Sequence, residues 1–418
     1  VIIPLGEDRT RWDTHKGSRS VPRHATDAPK DVQEAVTRQL SAVLFASLAR
    51  QDQRRKGEQY LRGLLQAQGR KSIRNIAAHV GGSAVEQGLH HFISSSTWDW
   101  MSVRQALATH LTHRETPLAW VVQPISIPKA GEHSVGVHHG LDPRLGPFRG
   151  QRAFGVWHAS EELSVPVNWR LHLPGSWVRD DTLRRRADIP ATADEQTAED
   201  CAAAAFLTTV DSWGLLARPV VLNTDVGRVQ HLLGQFTDAG VPVIARINGA
   251  SQFTVDDPAL PAHIGEALEA QQILASARGL RKPVEWAERN GRLITRRCSL
   301  TVAVRVGSTS AGHRRPHTAD RVRHLVLLGE WRHPQHSTGA LWMTNMTSVP
   351  AGPLLRLTKL ACRVKRELAA AGKDVGLKDY DGRTFRGWHR HVTLASAAHA
   401  VTALAGMEDT AGTPSDPA

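Results

Sequence analysis

Apolar residues recur every three or four positions from Val32 to Leu48, at Val32, Val36, Leu40, Val43, Leu44 and Leu48, the spacing of one helical face. The helix is expected to start at Asp27, a residue suited to cap it, with Pro29 in its first turn. Residues 1–26 lack this period and are broken by Gly and Pro, so they read as a mobile leader. Helical spacing holds again from 58 to 113. Ile73, Ile76, Ala77 and Val80 form one stripe, Gly81-Gly82 interrupts it, Ser83 can cap the next helix, and Val85, Leu89 and Phe92 resume the stripe. Helix, glycine turn and helix is the helix-turn-helix pattern, and Arg62, Arg70, Lys71 and Arg74 lie close to it in sequence. Asp99, between Trp98 and Trp100, is placed to cap the helix after it.

Past Pro117 the period changes. Residues 118–122 form a short apolar run, Val135 and Val137 alternate with polar neighbours, and Ala153–His158 and Val165–Leu173 read as further strands. A helix over 193–213, a buried strand over 219–222, a helix over 229–239 and a strand over 241–247 complete the series. Three or more strands, then helix, strand, helix, strand, is the order of an α/β RNase H-like mixed sheet. Residues 248–350 interrupt that order with strand-leaning runs at 300–306, 324–329 and 341–344. Helices are expected from Pro353 to Ala371 and from Val392 to Ala405. The predicted organisation is a leader over 1–26, a helical DNA-binding domain over 27–115, and a core in two parts, 116–247 and 351–406. A strand-rich insertion over 248–350 separates those parts, and a disordered tail covers 407–418.

Charge narrows the partner class. The 418 residues carry a net charge of +12, and most of the basic residues are arginine, which favours bidentate phosphate contacts. No apolar run approaches the roughly 20 residues needed to span a bilayer, and the apolar start at Val1–Leu5 is too short for a secretory signal. The three cysteines lie far apart, without disulfide or CxxC spacing, which points to a reducing, cytoplasmic setting, nucleoid-associated if the anionic partner is DNA. Phosphate-loop, zinc-protease and serine-hydrolase motifs do not occur.

Five ordered blocks carry a family resemblance. They are Tyr60–Leu65 followed by Arg70–Ile73; His91–Trp100; Pro128–Val137; Asn168–Pro174; and Gly376–His391, the most specific. Together they resemble the insertion-sequence-701 family of DDE transposases. The resemblance implies two aspartates and a glutamate holding a pair of Mg²⁺ ions for in-line phosphoryl transfer on DNA. The first acid would end the first strand, the second would follow the fourth, and the third would lie on the helix after the insertion.

Those positions are unusual here. The first falls on Gln123 or Pro124, and no Asp or Glu occurs from Thr116 to Gly131. The second falls on Thr224, with Asp225 one residue later as a displaced stand-in. The third falls on Lys365; Glu367, two residues on at about 100° per residue, points about 160° away. Among cations, Arg356, Lys359, Arg363 and Arg366 share a helix face opposite Leu357, Leu360, Ala361, Val364 and Leu368. Arg383, Arg386 and Arg390 crowd a stretch with Phe385, Trp388, His389 and His391, and Lys129 follows the first strand. Arg70, Lys71 and Arg74 join them as expected DNA contacts, whereas Trp388 reads as an anchor for the last helix. The run from Arg179 to Arg186 reads as a charged loop.

The sequence thus predicts a transposase-type protein that binds double-stranded DNA, with terminal inverted repeats and a second copy of the chain as candidate partners. It predicts no bound metal, no cofactor and no strand cleavage. Two alternatives stay open: an active enzyme using displaced carboxylates such as Asp225, and a DNA-binding regulator repurposed from such an enzyme.

Overall fold

The computed structural model describes residues 28–142, 146–226, 228–290, 293–308, 323–333 and 338–411. The predicted leader lies outside them, as does the tail beyond Ala411. The N-terminal region is helical: α1 (Ala28–Leu44), α2 (Gln51–Gln66), α3 (Ile73–Val80), α4 (Ser83–Ser94) and α5 (Trp100–Arg114). Ser72 caps α3 by accepting from the Asn75 amide, and Asp99 caps α5 by accepting from Met101 and Ser102. Gly81 and Gly82 both take positive φ, a backbone region that side chains rarely tolerate. Gly82 stands at the N-cap of α4, so Ser83 opens the helix instead of capping it.

The core sheet begins with β1 (Ala119–Pro128), β2 (His138–Asp142), β3 (Gly146–Ala159) and β4 (Ser164–Leu171). Short helices α6 (Gly175–Arg179) and α7 (Asp181–Arg186) come next where the sequence suggested a charged loop; Asp180 caps α7. After them come α8 (Ala198–Trp213), β5 (Val220–Val226), α9 (Val229–Asp238) and β6 (Val243–Ile247). β3 pairs antiparallel with β1 and β4, while β1 and β5 run parallel, as do β5 and β6. The order β4-β3-β1-β5-β6 is that of an RNase H-like sheet. The alternating Val135 and Val137 precede a strand instead of forming one. They are buried in the turn before β2, where the Val135 amide donates to the Arg383 carbonyl and Trp177 donates to the Val137 carbonyl.

The strand-rich segment does not form a separate sheet. It contains β7 (Gln252–Val255), β8 (Ala267–Glu269), α10 (Ala270–Ser276), β9 (Lys282–Asn290), β10 (Leu293–Ser308), β11 (Arg323–Trp331) and β12 (Leu341–Thr344). β12 pairs with β6 and β11 pairs with β12, so one mixed sheet of twelve described strands runs through core and insertion. The chain closes with α11 (Ala351–Asp374) and α12 (Phe385–Ala411). Helix α12 continues through Met407–Ala411, residues expected to be disordered, and Glu408 pairs with Arg114 of α5.

Strand alternation explains how helices cover both faces of the core. Trp120 of β1 turns to Phe206 of α8, with ring centroids 6.5 Å apart. Gln123, three residues on and therefore on the other face, turns to α11, which packs on β1 and β5. Strands buried on both faces read as near-continuous apolar runs, and Trp120–Val122 and Val220–Leu222 are fully buried.

Candidate functional site

Parallel pairing of Trp120, Val121 and Val122 with Val220, Val221 and Leu222 brings the next residues of β1 and β5 together. The Asn223 amide Nδ2 donates to Gln123 Oε1 at 2.7 Å and lies 3.5 Å from the Ala361 carbonyl of α11. The Gln123 Nε2 donates to the Pro124 carbonyl at 3.1 Å. Gln123 is 3% and Asn223 9% exposed, so the centre of the core beneath α11 holds two neutral amides bonded to each other. Burial of such groups is tolerated because each satisfies the other.

The residue bonded to Gln123 is not the one singled out on β5 from the sequence. Asn223, not Thr224, is bonded to Gln123; Thr224 is one step along β5, where the pairing with β6 shifts register after Leu222. A signal was present: each amide directly succeeds a matched apolar run, Val121-Val122 and Val221-Leu222. Pro124 likewise alternates away from Gln123. Lys365 lies one helical turn beyond Ala361, on the same stripe of α11, and is exposed. Glu367 faces elsewhere, close enough to His399 of α12 to act on its imidazole. Asp225 belongs to β5, and its side chain lies outside the described residues.

A family model described as DDE superfamily endonuclease matches residues 43–322, more than half of the chain. The chain belongs to the DDE superfamily of endonucleases. No curated protein matches it at a significant level. The matched residues of this superfamily member include β1 and β5, and with them Gln123 and Asn223, but end before α11.

The residues on the Gln123 face do not fit the Mg²⁺ pair that such enzymes imply. Mg²⁺ asks for charged or multiple oxygen donors in octahedral geometry. Gln123 offers one neutral oxygen already engaged by Asn223. Among the described residues no group of three or more His, Cys, Asp or Glu side chains is placed to hold a metal ion.

The cations named from sequence divide into buried and exposed groups. Arg390 is 1% exposed: it donates to the Ile93 carbonyl at 3.1 Å and sits over the rings of Trp98 and Trp100. Lys71 is 5% exposed; its ammonium donates to the Ala67 carbonyl, and its backbone amide donates to Asp379. Burial lowers the pKa of both side chains. Neither presents a surface to a duplex, which corrects the expectation that they contact DNA. Lys129 is half-buried and donates to the Tyr380 carbonyl at 2.6 Å. Arg70 pairs with Asp381, and Arg386 with Asp188 at 2.9 Å; both remain largely exposed, as do Arg74 and Arg383.

The Gly376–His391 block is thus a joint between regions. His391 Nε2 donates to the Gly376 carbonyl at 2.7 Å, which leaves Nδ1 as the acceptor for the Tyr60 hydroxyl of α2 at 2.8 Å. Burial holds the His391 pKa down at about 4. Arg104 of α5, 1% exposed, donates to Thr393, Asn168, the Trp169 carbonyl and His389. Burial brings its pKa down to about 9, and burial, with the Arg104 charge second, lowers that of His389. Sequence reasoning missed Arg104 altogether, because a lone arginine on a helix carries no sign of the acceptors gathered around it.

On α11 the basic face is partly engaged. Lys359 pairs with Glu330 and lies 4.5 Å from the Trp286 ring centroid. Arg363 donates to the carbonyls of Ser160, Glu161 and Glu162 in the β3–β4 turn. Arg356 and Arg366 are exposed.

Proposed function

We propose that this DDE-superfamily protein is a transposase relative of the insertion-sequence-701 type that binds double-stranded DNA without cutting it. The observation that supports the reading is the buried Gln123–Asn223 amide pair, 2.7 Å apart, where the ends of β1 and β5 adjoin and acids are expected from the resemblance. At about 4 Å and an effective dielectric of roughly 20, a carboxylate and a divalent ion attract by about 8 kcal/mol. Two neutral amides forgo most of that attraction, and Lys365 in place of a third carboxylate opposes it. The net charge of +12 supports retained DNA affinity. The terminal inverted repeats of a mobile element are the candidate target, a homodimer the candidate assembly, and the nucleoid the expected place of action.

Supercoiled plasmid incubated with the purified chain and Mg²⁺ or Mn²⁺ should stay supercoiled while its electrophoretic mobility shifts. Nicking that disappears in Asp225→Ala would contradict the reading and make Asp225 a working ligand.

A further inference from the structure

A cleft of about 780 Å³ opens between α11 and the β9–β10 hairpin, with the β3–β4 turn at one end. Its described lining carries seven cationic side chains against two acidic ones, Glu161 and Glu285. Arg296 and Arg297 come from β10, Arg332 from the residue after β11, and Arg356, Arg363 and Arg366 from α11. The seventh cation, Lys359, is paired with Glu330 and covers Trp286, the one aromatic among the described lining residues. The carbonyls of Ser160, Glu161 and Glu162 hold Arg363 in position. Gln123, Asn223, Thr224 and Lys365 are not part of this lining. The cleft is therefore a separate surface from the buried Gln123–Asn223 pair.

We infer that this cleft seats the phosphate backbone of one strand of a DNA duplex. A concave wall of one charge sign with apolar patches concentrates an electrostatic field and draws a polyanion in. Arginine forks from a helix and from a hairpin face the same space and can hold successive phosphates without reading bases. Single-strand binders stack bases on free aromatic faces. Here the described lining aromatic already has a lysine against its ring, so the chemistry favours a duplex backbone over a splayed strand. The inference rests on the DNA-binding reading above and gives it a location.

The native cysteines supply the test. Cys298 and Cys362 line the cleft and are exposed, whereas Cys201 is buried elsewhere with its thiol pKa pushed up to about 12. The purified chain is alkylated with and without saturating mixed-sequence duplex, and each cysteine is tracked by mass spectrometry. Duplex should slow modification of Cys298 and Cys362 by about tenfold or more, the protection expected when bound complex dominates, and leave Cys201 unchanged. The combined variant Arg296→Ala, Arg297→Ala, Arg356→Ala should lower the slope of log affinity against log salt by about three. Duplex binding with unchanged labelling of both cysteines would overturn the location and spare the DNA-binding reading. Stronger protection by single strand than by duplex would overturn the choice of ligand. Absence of any DNA binding would overturn both.

Discussion

At the residue scale, one hydrogen bond decides how the core centre behaves. Gln123 and Asn223 satisfy each other inside the core, an arrangement two ionised carboxylates could adopt only with cations between them. The local pattern showed that no acid stands near Gln123 but not that Asn223 would bond to it, because the length of a strand is legible while its register against a distant strand is not. A similar limit applied to the cations. Lys71 and Arg390 look like their exposed neighbours in sequence, and only the tertiary fold separates a buried structural cation from a surface one. His391 makes a prediction at this scale. Burial lowers its pKa and that of His158 from 6.5 to about 4. The unfolded chain protonates both imidazoles near their ordinary value, so their stabilisation is complete above that value and is lost as pH falls toward 4. Each contributes about 3 kcal/mol over that window. The melting temperature should drop steeply with acidification, and His391→Gln should flatten the drop; an unchanged pH slope in that variant would show that the buried imidazole is not its source.

At the scale of elements, α12 is the brace. It packs on β4 and touches α1, α2, α4 and α5, so the N-terminal helices and the sheet share one helix. Arg104 of α5 reaches both β4 and α12 through Asn168, the Trp169 carbonyl and Thr393. Arg104→Ala strands several buried acceptors at once and should cost about 3–5 kcal/mol. Limited proteolysis of this variant is expected to release the helical region before the sheet is cut; wild-type cleavage kinetics would contradict that role. Gly376 is a second fixed point, with φ +72° and no room for a side chain beside Lys71. Most of these elements were legible from periodicity and caps. The extension of the sheet through β12 was not, since pairing Leu341–Thr344 with Ile244–Ile247 bridges distant segments and leaves no local mark.

At the scale of the whole molecule, chemistry and charge separate in space. The fold keeps an RNase H-like strand order, and the adjoining ends of β1 and β5 hold an amide pair. The concentration of positive charge lies on the far side of α11, where the insertion meets the helix. The hairpin wall of that cleft is formed by β9 and the part of β10 that precedes the pairing with β11. Among the described residues no helix is long and apolar enough to cross a membrane. The account stands or falls on whether β1 and β5 can still hold divalent ions. Calorimetric titration of Mn²⁺ into the purified chain measures this directly. The account predicts no saturable site in the natural chain and the appearance of one in the variant Gln123→Asp, Asn223→Asp, Lys365→Glu. A saturable site in the natural chain that vanishes in Asp225→Ala would contradict it.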